Sequence, residues 1–510
     1  MSSIKKLAGQ TMWYGVSSIA AKFINYLLTP FLTYTLAKTS DYGKMSLIYA
    51  ALPVLNVIFT YGFETTYFRF ASRKEYKDSL YSTSAISLIF STILFTTLLW
   101  FARDPFASVV GLKDVPTIAY VSIFVIAFDA LSSIPFAKLR LEERPRKYAL
   151  VKVGGILVNI FFTWFFVGYC PSHTVQVSNS LLIFIYKPDV NPIVYVLIAN
   201  LIQSVFTLLL LSREISEIKL KFNFPLWKEM IIYSLPLVIV GMGGMINETF
   251  DRLMLRWWQP GTDIFKDTQV GIYSACYKLA ILITLFIQAF RLGAEPFFFK
   301  QAEGQNPQKT YARVMKFFVI IITLMFLVVS LYLNIWKVFI APPYWAGLKV
   351  VPILLLANMF LGIYYNLSIW YKLTNKTGTG AYITLAGTVI TIIINFIFIP
   401  HFGFVACAWA TFLCYFTMMV LCFIWGQKNY KIPYAWKKLS AYIVIVVLLF
   451  FIHEAVIYFV KGNIANFISA TLLLAAYVWF VLNVEWKEFQ RLPVVGKYFK
   501  AGNIVTGKNG

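Results

Sequence analysis

The chain has 510 residues, of which 59% are hydrophobic, 18% aromatic and only 13% charged, and its mean hydropathy is +0.71. A soluble domain is nearer 45–50% apolar and about 25% charged, so a water-soluble fold is excluded and the solvent for most of the chain must be lipid. The formal charge of +23 would suit a nucleic-acid binder only if it formed a solvated basic domain. The Lys and Arg residues lie instead in short segments between apolar runs, so no nucleic-acid partner is expected.

The first apolar run, 11–36, is long enough to cross a bilayer yet carries Lys22 near its middle. Thr11, Gly15, Ser18, Lys22, Asn25, Thr29 and Thr33 recur at spacings of three and four, which puts them on one helical face. A membrane helix with one wet stripe must turn it toward protein or a water-filled cavity. The N-terminus has no small-residue cleavage site after a short apolar core, so this run reads as a retained span and not a removed signal peptide.

Further runs of about 20 apolar residues fall at 42–63, 79–101, 115–137, 148–169, 190–212, 229–255, 270–292, 314–335, 346–371, 379–399, 403–425, 439–460 and 463–483. They predict an all-α integral membrane protein of about fourteen transmembrane helices, with a tight turn from Pro400 to Gly403. With the N-terminus in the cytoplasm, most Lys and Arg fall in loops on that side, as the positive-inside rule requires, and the basic tail after Glu485 is also cytoplasmic. Trp13, Trp100, Trp227, Trp257, Trp258, Trp336, Trp345, Trp425 and Trp436 lie at predicted span ends, where an amphipathic ring prefers the headgroup level. The longest external loop, near 170–189, is too short for a soluble domain. Cys170, Cys276, Cys407, Cys414 and Cys422 form no CxxC pair, and His173, His401 and His453 are scattered. No disulfide, metal site or cofactor is expected.

An internal repeat is legible. Gly43, Ser46 and Tyr49 open the second run, and Gly271, Ser274 and Tyr277 open the eighth in the same register. The offset predicts two pseudo-symmetric six-helix bundles, 1–228 and 229–436, followed by two appended helices and a tail in 437–510. Repeats of this kind mark transporters, with the substrate site between the halves.

The ionisable residues inside the spans lean positive. Lys22 either supplies charge to a cavity or pairs with an acid such as Asp129 in the fourth span. Lys278 shares a face with Gly271, Ser274 and Gln288, its alternative being to snorkel to the outer interface. Asn247 and Asp251 share a face of the seventh span, and Glu248 and Arg252 are spaced for an i,i+4 pair, either at a site or as a self-neutralised pair at the rim. Gly241, Gly243 and Gly244 just before them permit close packing or a bend. Arg291 and Glu295 read as interfacial, and His453 and Glu454 as structural. A positive set suits an anionic substrate, on which Lys acts as a point charge. Paired catalytic carboxylates, a nucleophile motif and a Gly-rich phosphate loop are not found, so an enzyme is not expected.

Several segments together resemble the bacterial polysaccharide flippases (Wzx-like exporters) of the multidrug/oligosaccharidyl-lipid/polysaccharide superfamily. Asp41-Tyr42-Gly43 through Tyr49 is similar to the second span, and Gly62-Phe63-Glu64 through Phe70 to the segment after that span. Ser234-Leu235-Pro236 with Asp251-Arg252 resembles the seventh span, Val270 through Ser274 the eighth, and Asn395 with Ile399 through Ala408 the junction of the eleventh and twelfth. The resemblance implies a V-shaped pair of bundles around a cationic cavity. That cavity would take the head of an undecaprenyl-pyrophosphate-linked oligosaccharide while the lipid tail stays in the membrane, along the last two spans. Related peptidoglycan-precursor flippases carry cations in the first and eighth spans, mainly Arg; Lys22 and Lys278 match that placement.

The expected function is therefore a flippase of the bacterial inner membrane. It carries the lipid-linked sugar from the cytoplasmic to the periplasmic leaflet for surface polysaccharides such as O-antigen lipopolysaccharide, with a polysaccharide polymerase and chain-length machinery as further partners. Lys22, Asn25, Lys278, Asn247, Asp251, Arg252 and Asp129 are the expected substrate-binding residues. Two rivals remain open: a cation-coupled small-molecule exporter of the same fold, which would want an acidic cavity, and a peptidoglycan-precursor flippase. A membrane polymerase would show a large external loop rich in Arg or acids, and none is found.

Overall fold

The computed structural model describes residues 19–20, 22–71, 73–76, 78–174, 185–302, 305–374, 376–460 and 462–490. The start of the first run (11–18), the centre of the long loop (175–184) and the basic tail from 491 lie outside the described residues. Among the described residues the chain is helical and contains no strand. Thirteen of their helices are long and apolar enough to cross a membrane, which makes this a multi-pass membrane protein. The fourteenth expected span is the first. Its described part is a helical stretch over 22–26 followed by α1, Leu28–Thr35.

In chain order, the elements that position the site are α2 (Thr39–Thr60), α3 (Phe63–Ala71), α4 (Leu80–Phe101), α5 (Pro116–Leu141), α6 (Pro145–Trp164), α7 (Pro192–Leu210), α8 (Phe224–Glu248), α9 (Asp251–Trp258) and α10 (Asp263–Gln301). After them come α11 (Pro307–Ser330), α12 (Val351–Leu367), α13 (Thr377–Phe402), α14 (Phe404–Asn429), α15 (Trp436–Phe459) and α16 (Asn463–Val484). Local chemistry sets several starts. Asn191 accepts from the Ile193 N–H ahead of Pro192 in α7, Asn223 from the Leu226 N–H ahead of α8, and Thr262 from the Phe265 N–H ahead of α10. A side-chain oxygen at the cap satisfies an orphan donor, and Pro in the first turn has no donor to lose.

Several edges shift, most of all in α10, which spans Asp263–Gln301 where 270–292 was expected, and two junctions differ in kind. The run 229–255 is broken at Thr249 and Phe250 into α8 and α9. The expected turn at Pro400–Gly403 shrinks to Gly403 alone, because α13 continues through Pro400 to Phe402. Gly403 stands at φ +57°, which a residue without a Cβ adopts at little cost.

Residue contacts divide the chain into two compact units, 1–303 with 337–430, and 304–336 with 431–510. In the first unit α2 and α10 pack backbone to backbone. A Cβ added at Gly43 would lie 1.9 Å from the Asp267 carbonyl oxygen, and one at Gly271 would lie 2.2 Å from that of Thr39. The matching glycines of the repeat thus meet one another. Arg256 pairs with Asp267 at 2.7 Å beside this contact, and Lys44 pairs with Asp114. Elsewhere in this unit α8 is held to α4 by a 2.8 Å bond from Trp227 Nε1 to Ser87 Oγ, and Arg73 pairs with Glu229 at 2.6 Å.

In the second unit α11 packs with α15 and α16. Thr323 and Tyr477 share a 2.7 Å hydroxyl bond, and His453 Nδ1 lies 3.1 Å from Ser469 Oγ. Just past α16 the Glu485 side chain is 2% exposed and accepts from Lys438 at 2.7 Å, Tyr442 at 2.6 Å and Lys316 at 3.0 Å. Burial pushes its carboxyl up, but the bonds from Lys438, Tyr442 and Lys316 outweigh that and hold it below the usual carboxylate range.

Candidate functional site

The Ser and Tyr of the repeat lie one and two turns along from the glycine contact. Ser46 and Tyr49 on α2, with Ser274 and Tyr277 on α10, line a cavity of about 490 Å³ in the first unit. The segment 22–35 supplies Lys22, Asn25 and Thr29 to the same wall. These are three members of the predicted wet stripe; Thr11, Gly15 and Ser18 lie outside the described residues. Thr33, the last of them, is buried and donates to the Pro30 carbonyl at 3.1 Å.

Lys22 Nζ donates to Gln288 Oε1 of α10 at 2.8 Å. Lys278 lines the cavity between Tyr277 and Ile281, and among the described residues its ammonium has no hydrogen-bond or ion-pair partner. Asn358 of α12 faces the cavity with its Nδ2 on the Ala280 carbonyl at 3.4 Å. Its Oδ1, like Ser274 Oγ, is buried without a partner among the described residues.

Arg252 also lines the cavity, and its guanidinium bonds to Asp251 Oδ1 at 2.8 Å and to the Glu248 carbonyl at 3.1 Å. The expected pairing of the Glu248 and Arg252 side chains does not form. The break between α8 and α9 removes the regular helical turn that would bring them together. Glu248 instead presents its side chain to the cavity. Asp251 lies behind Arg252, accepting from Tyr273 OH at 2.5 Å as well. Asn247 is buried deeper, with Nδ2 on the Thr384 carbonyl at 3.2 Å and Oδ1 accepting from Thr391 at 3.4 Å.

Of the seven expected site residues, the structure brings Lys22, Asn25, Arg252 and Lys278 to one cavity. Asp251 and Asn247 support it from behind. Asp129 does not line it; its Oδ1 accepts from Ser204 at 2.7 Å. Sequence reasoning passed over Tyr49, Asn159, Asn200, Gln203, Asn358 and Tyr415, which also line the cavity. The signal was present, since a carboxamide inside an apolar run is as costly to leave facing lipid as other polar groups. It was used only for Asn25 and Asn247, which stand close in sequence to ionisable residues.

Comparison with known proteins fits this architecture. The solved structures that resemble the chain include a lipid II flippase, MurJ, in an inward closed conformation, with TM-score 0.65 and 12% identity over 92% of this chain and 98% of that one. An inward-facing multidrug resistance MATE family transporter of the MOP superfamily aligns with TM-score 0.58 and 15% identity over 86% of this chain and 94% of that one. An outward-facing structure of such a transporter gives 0.55 and 15% over 86% and 96%. At these identities the likeness establishes the fold, that of the MurJ and MATE transporters. No curated protein sequence matches the chain. Residues 7–300, more than half of its length, match the family described as polysaccharide biosynthesis protein, and the chain belongs to that family.

Proposed function

We propose that the protein is a flippase of the bacterial inner membrane that moves an undecaprenyl-pyrophosphate-linked oligosaccharide from the cytoplasmic to the periplasmic leaflet for surface polysaccharide synthesis. The observation that carries the reading is Lys278, an ammonium lining the cavity without a partner among the described residues, close to Arg252. A cation set in such a wall is costly until an anion meets it. A pyrophosphate supplies two such charges. The hydroxyl and carboxamide groups around it suit a sugar, and a polar glycan cannot cross hydrocarbon unaided.

The two halves of the first unit, meeting at Gly43 and Gly271, would rock about this cavity so that the head group is exposed to one leaflet at a time. A polysaccharide polymerase and its chain-length partner would then act on the delivered product. Export of cationic small molecules is disfavoured by the sign of the cavity, where Glu248 is outnumbered by Lys22, Arg252 and Lys278.

The test is a leaflet-resolved assay in proteoliposomes with a fluorescent undecaprenyl-pyrophosphoryl oligosaccharide. The wild-type chain is expected to flip it, and Lys278→Ala to lower the initial rate by about ten- to a hundredfold, as loss of a charge-assisted bond implies. Unchanged flipping in that variant would overturn the site. Flipping of lipid II in preference to other lipid-linked sugars would move the assignment to the peptidoglycan precursor, the cargo named for the MurJ relative.

A further inference from the structure

The cavity is electrically lopsided. Its charged lining residues, Lys22, Glu248, Arg252 and Lys278, come from the first segment and from α8, α9 and α10. The lining supplied by α2, α6 and α7 contributes no Lys, Arg, Asp or Glu among its described residues. Its polar groups are amides and hydroxyls, and several are already fixed in place. Asn200 Nδ2 lies 2.5 Å from Tyr49 OH, Asn159 Nδ2 donates to Asn200 Oδ1 at 3.2 Å, and Thr163 Oγ1 donates to Asn159 Oδ1 at 3.0 Å. Gln203, one turn along α7 from Asn200, lines the cavity with no hydrogen-bond partner for its carboxamide among the described residues. Lys152 of α6 does not line the cavity; its ammonium sits 4.2 Å from the centre of the Phe136 ring.

We infer that this uncharged wall reads the sugar joined to the pyrophosphate, and that it accepts a neutral or acetamido sugar and rejects a uronic acid. The inference rests on the proposed function. With the pyrophosphate drawn to Lys278 and Lys22, the first sugar falls against α6 and α7, and about 490 Å³ is a size that takes a small polar head group. A carboxamide offers a donor and an acceptor together, which matches sugar hydroxyls and an acetamido group. A sugar carboxylate in the same place would lose its water and meet no cation.

Three short-chain probes titrated into the full chain in nanodiscs separate the possibilities: citronellyl pyrophosphate, citronellyl-pyrophosphoryl-N-acetylglucosamine and citronellyl-pyrophosphoryl-glucuronic acid. The N-acetylglucosamine probe is expected to bind about tenfold or more tightly than the glucuronic acid probe. Gln203→Leu is expected to weaken the N-acetylglucosamine probe about three- to tenfold with the sugarless probe unmoved. Lys278→Ala is expected to weaken all three, and Gln203→Arg to reverse the preference toward glucuronic acid. Equal affinity of the wild-type chain for the two sugars, or equal loss of all three probes in Gln203→Leu, would overturn the sugar wall. Failure of the wild-type chain to bind any probe, or binding indifferent to Lys278→Ala, would instead strike the proposed function.

Discussion

Asp251 shows how one carboxylate can serve a cavity that it does not line. It is buried in the first turn of α9, it accepts from the Arg252 N–H at 2.9 Å, and it also holds the Arg252 guanidinium and the Tyr273 hydroxyl. Arg252 therefore reaches the cavity with its charge already balanced from behind, whereas Lys278 has no ion-pair partner among the described residues. The two cations differ in what they can offer an incoming anion. Arg252 is positioned and rigid, and Lys278 is free to close on the ligand. Removing the carboxylate strands a guanidinium and a phenol in a dry place. Asp251→Ala is expected to cost about 3–5 kcal/mol of stability, read as a lower thermal midpoint of the detergent-purified chain, with Asp251→Asn milder because it still accepts from Tyr273. Lys278→Ala is expected to leave that midpoint at or above the wild-type value, since it removes a costly charge that has no partner among the described residues.

At the level of elements, the contact of α2 with α10 is a close backbone crossing beside the site. The helices can approach only because Gly43 and Gly271 present no side chain at the crossing. Gly43→Ala must push the Asp267 carbonyl aside and is expected to cost about 1–3 kcal/mol and to impair flipping. Gly244→Ala in α8, where a Cβ would meet nothing within 4 Å, is expected to be neutral or slightly stabilising. Equal thermal midpoints for the two variants would show that the crossing is not tight. Much of this element was legible in sequence. The apolar runs needed only composition and length, and the Gly, Ser and Tyr of the repeat marked both helices before their contact was seen. Lys22 and Lys278 were legible because an ammonium far inside an apolar run is rare. What could not be read was adjacency. Asp129 looked like a partner for Lys22 from type and depth alone, yet it bonds to Ser204, because the partner of a buried group depends on which helices adjoin. The chain from Tyr49 through Asn200 to Asn159 joins α2, α7 and α6, and no spacing within one helix predicts it.

For the whole molecule, linear order also conceals how the second unit is built. Its α11 is separated in sequence from α15 and α16 by the helices of the first unit, yet these three pack together. Apolar faces alone fix such packing weakly in lipid, where association relies on close fit and polar links. Glu485 supplies the link by gathering Lys316 from α11 with Lys438 and Tyr442 from α15 at the end of α16. Its carboxyl is held below the ordinary range despite burial, because Lys438, Tyr442 and Lys316 donate to the charged form. A depressed acid contributes stability that is fully present above the unfolded value of about 4.3 and fades as pH falls through the lower folded value. The link is therefore expected to hold unchanged from pH 8 to about 5 and to weaken only below about pH 4. Glu485→Gln is expected to lower the thermal midpoint at pH 7 and to remove the acid-dependent part of the loss, so that the variant and the wild type converge as pH falls through the lowered folded value. Parallel curves that never converge would mean that Glu485 acts by shape and not by charge, and the polar link between α11, α15 and α16 would have to be sought in Thr323 and Tyr477.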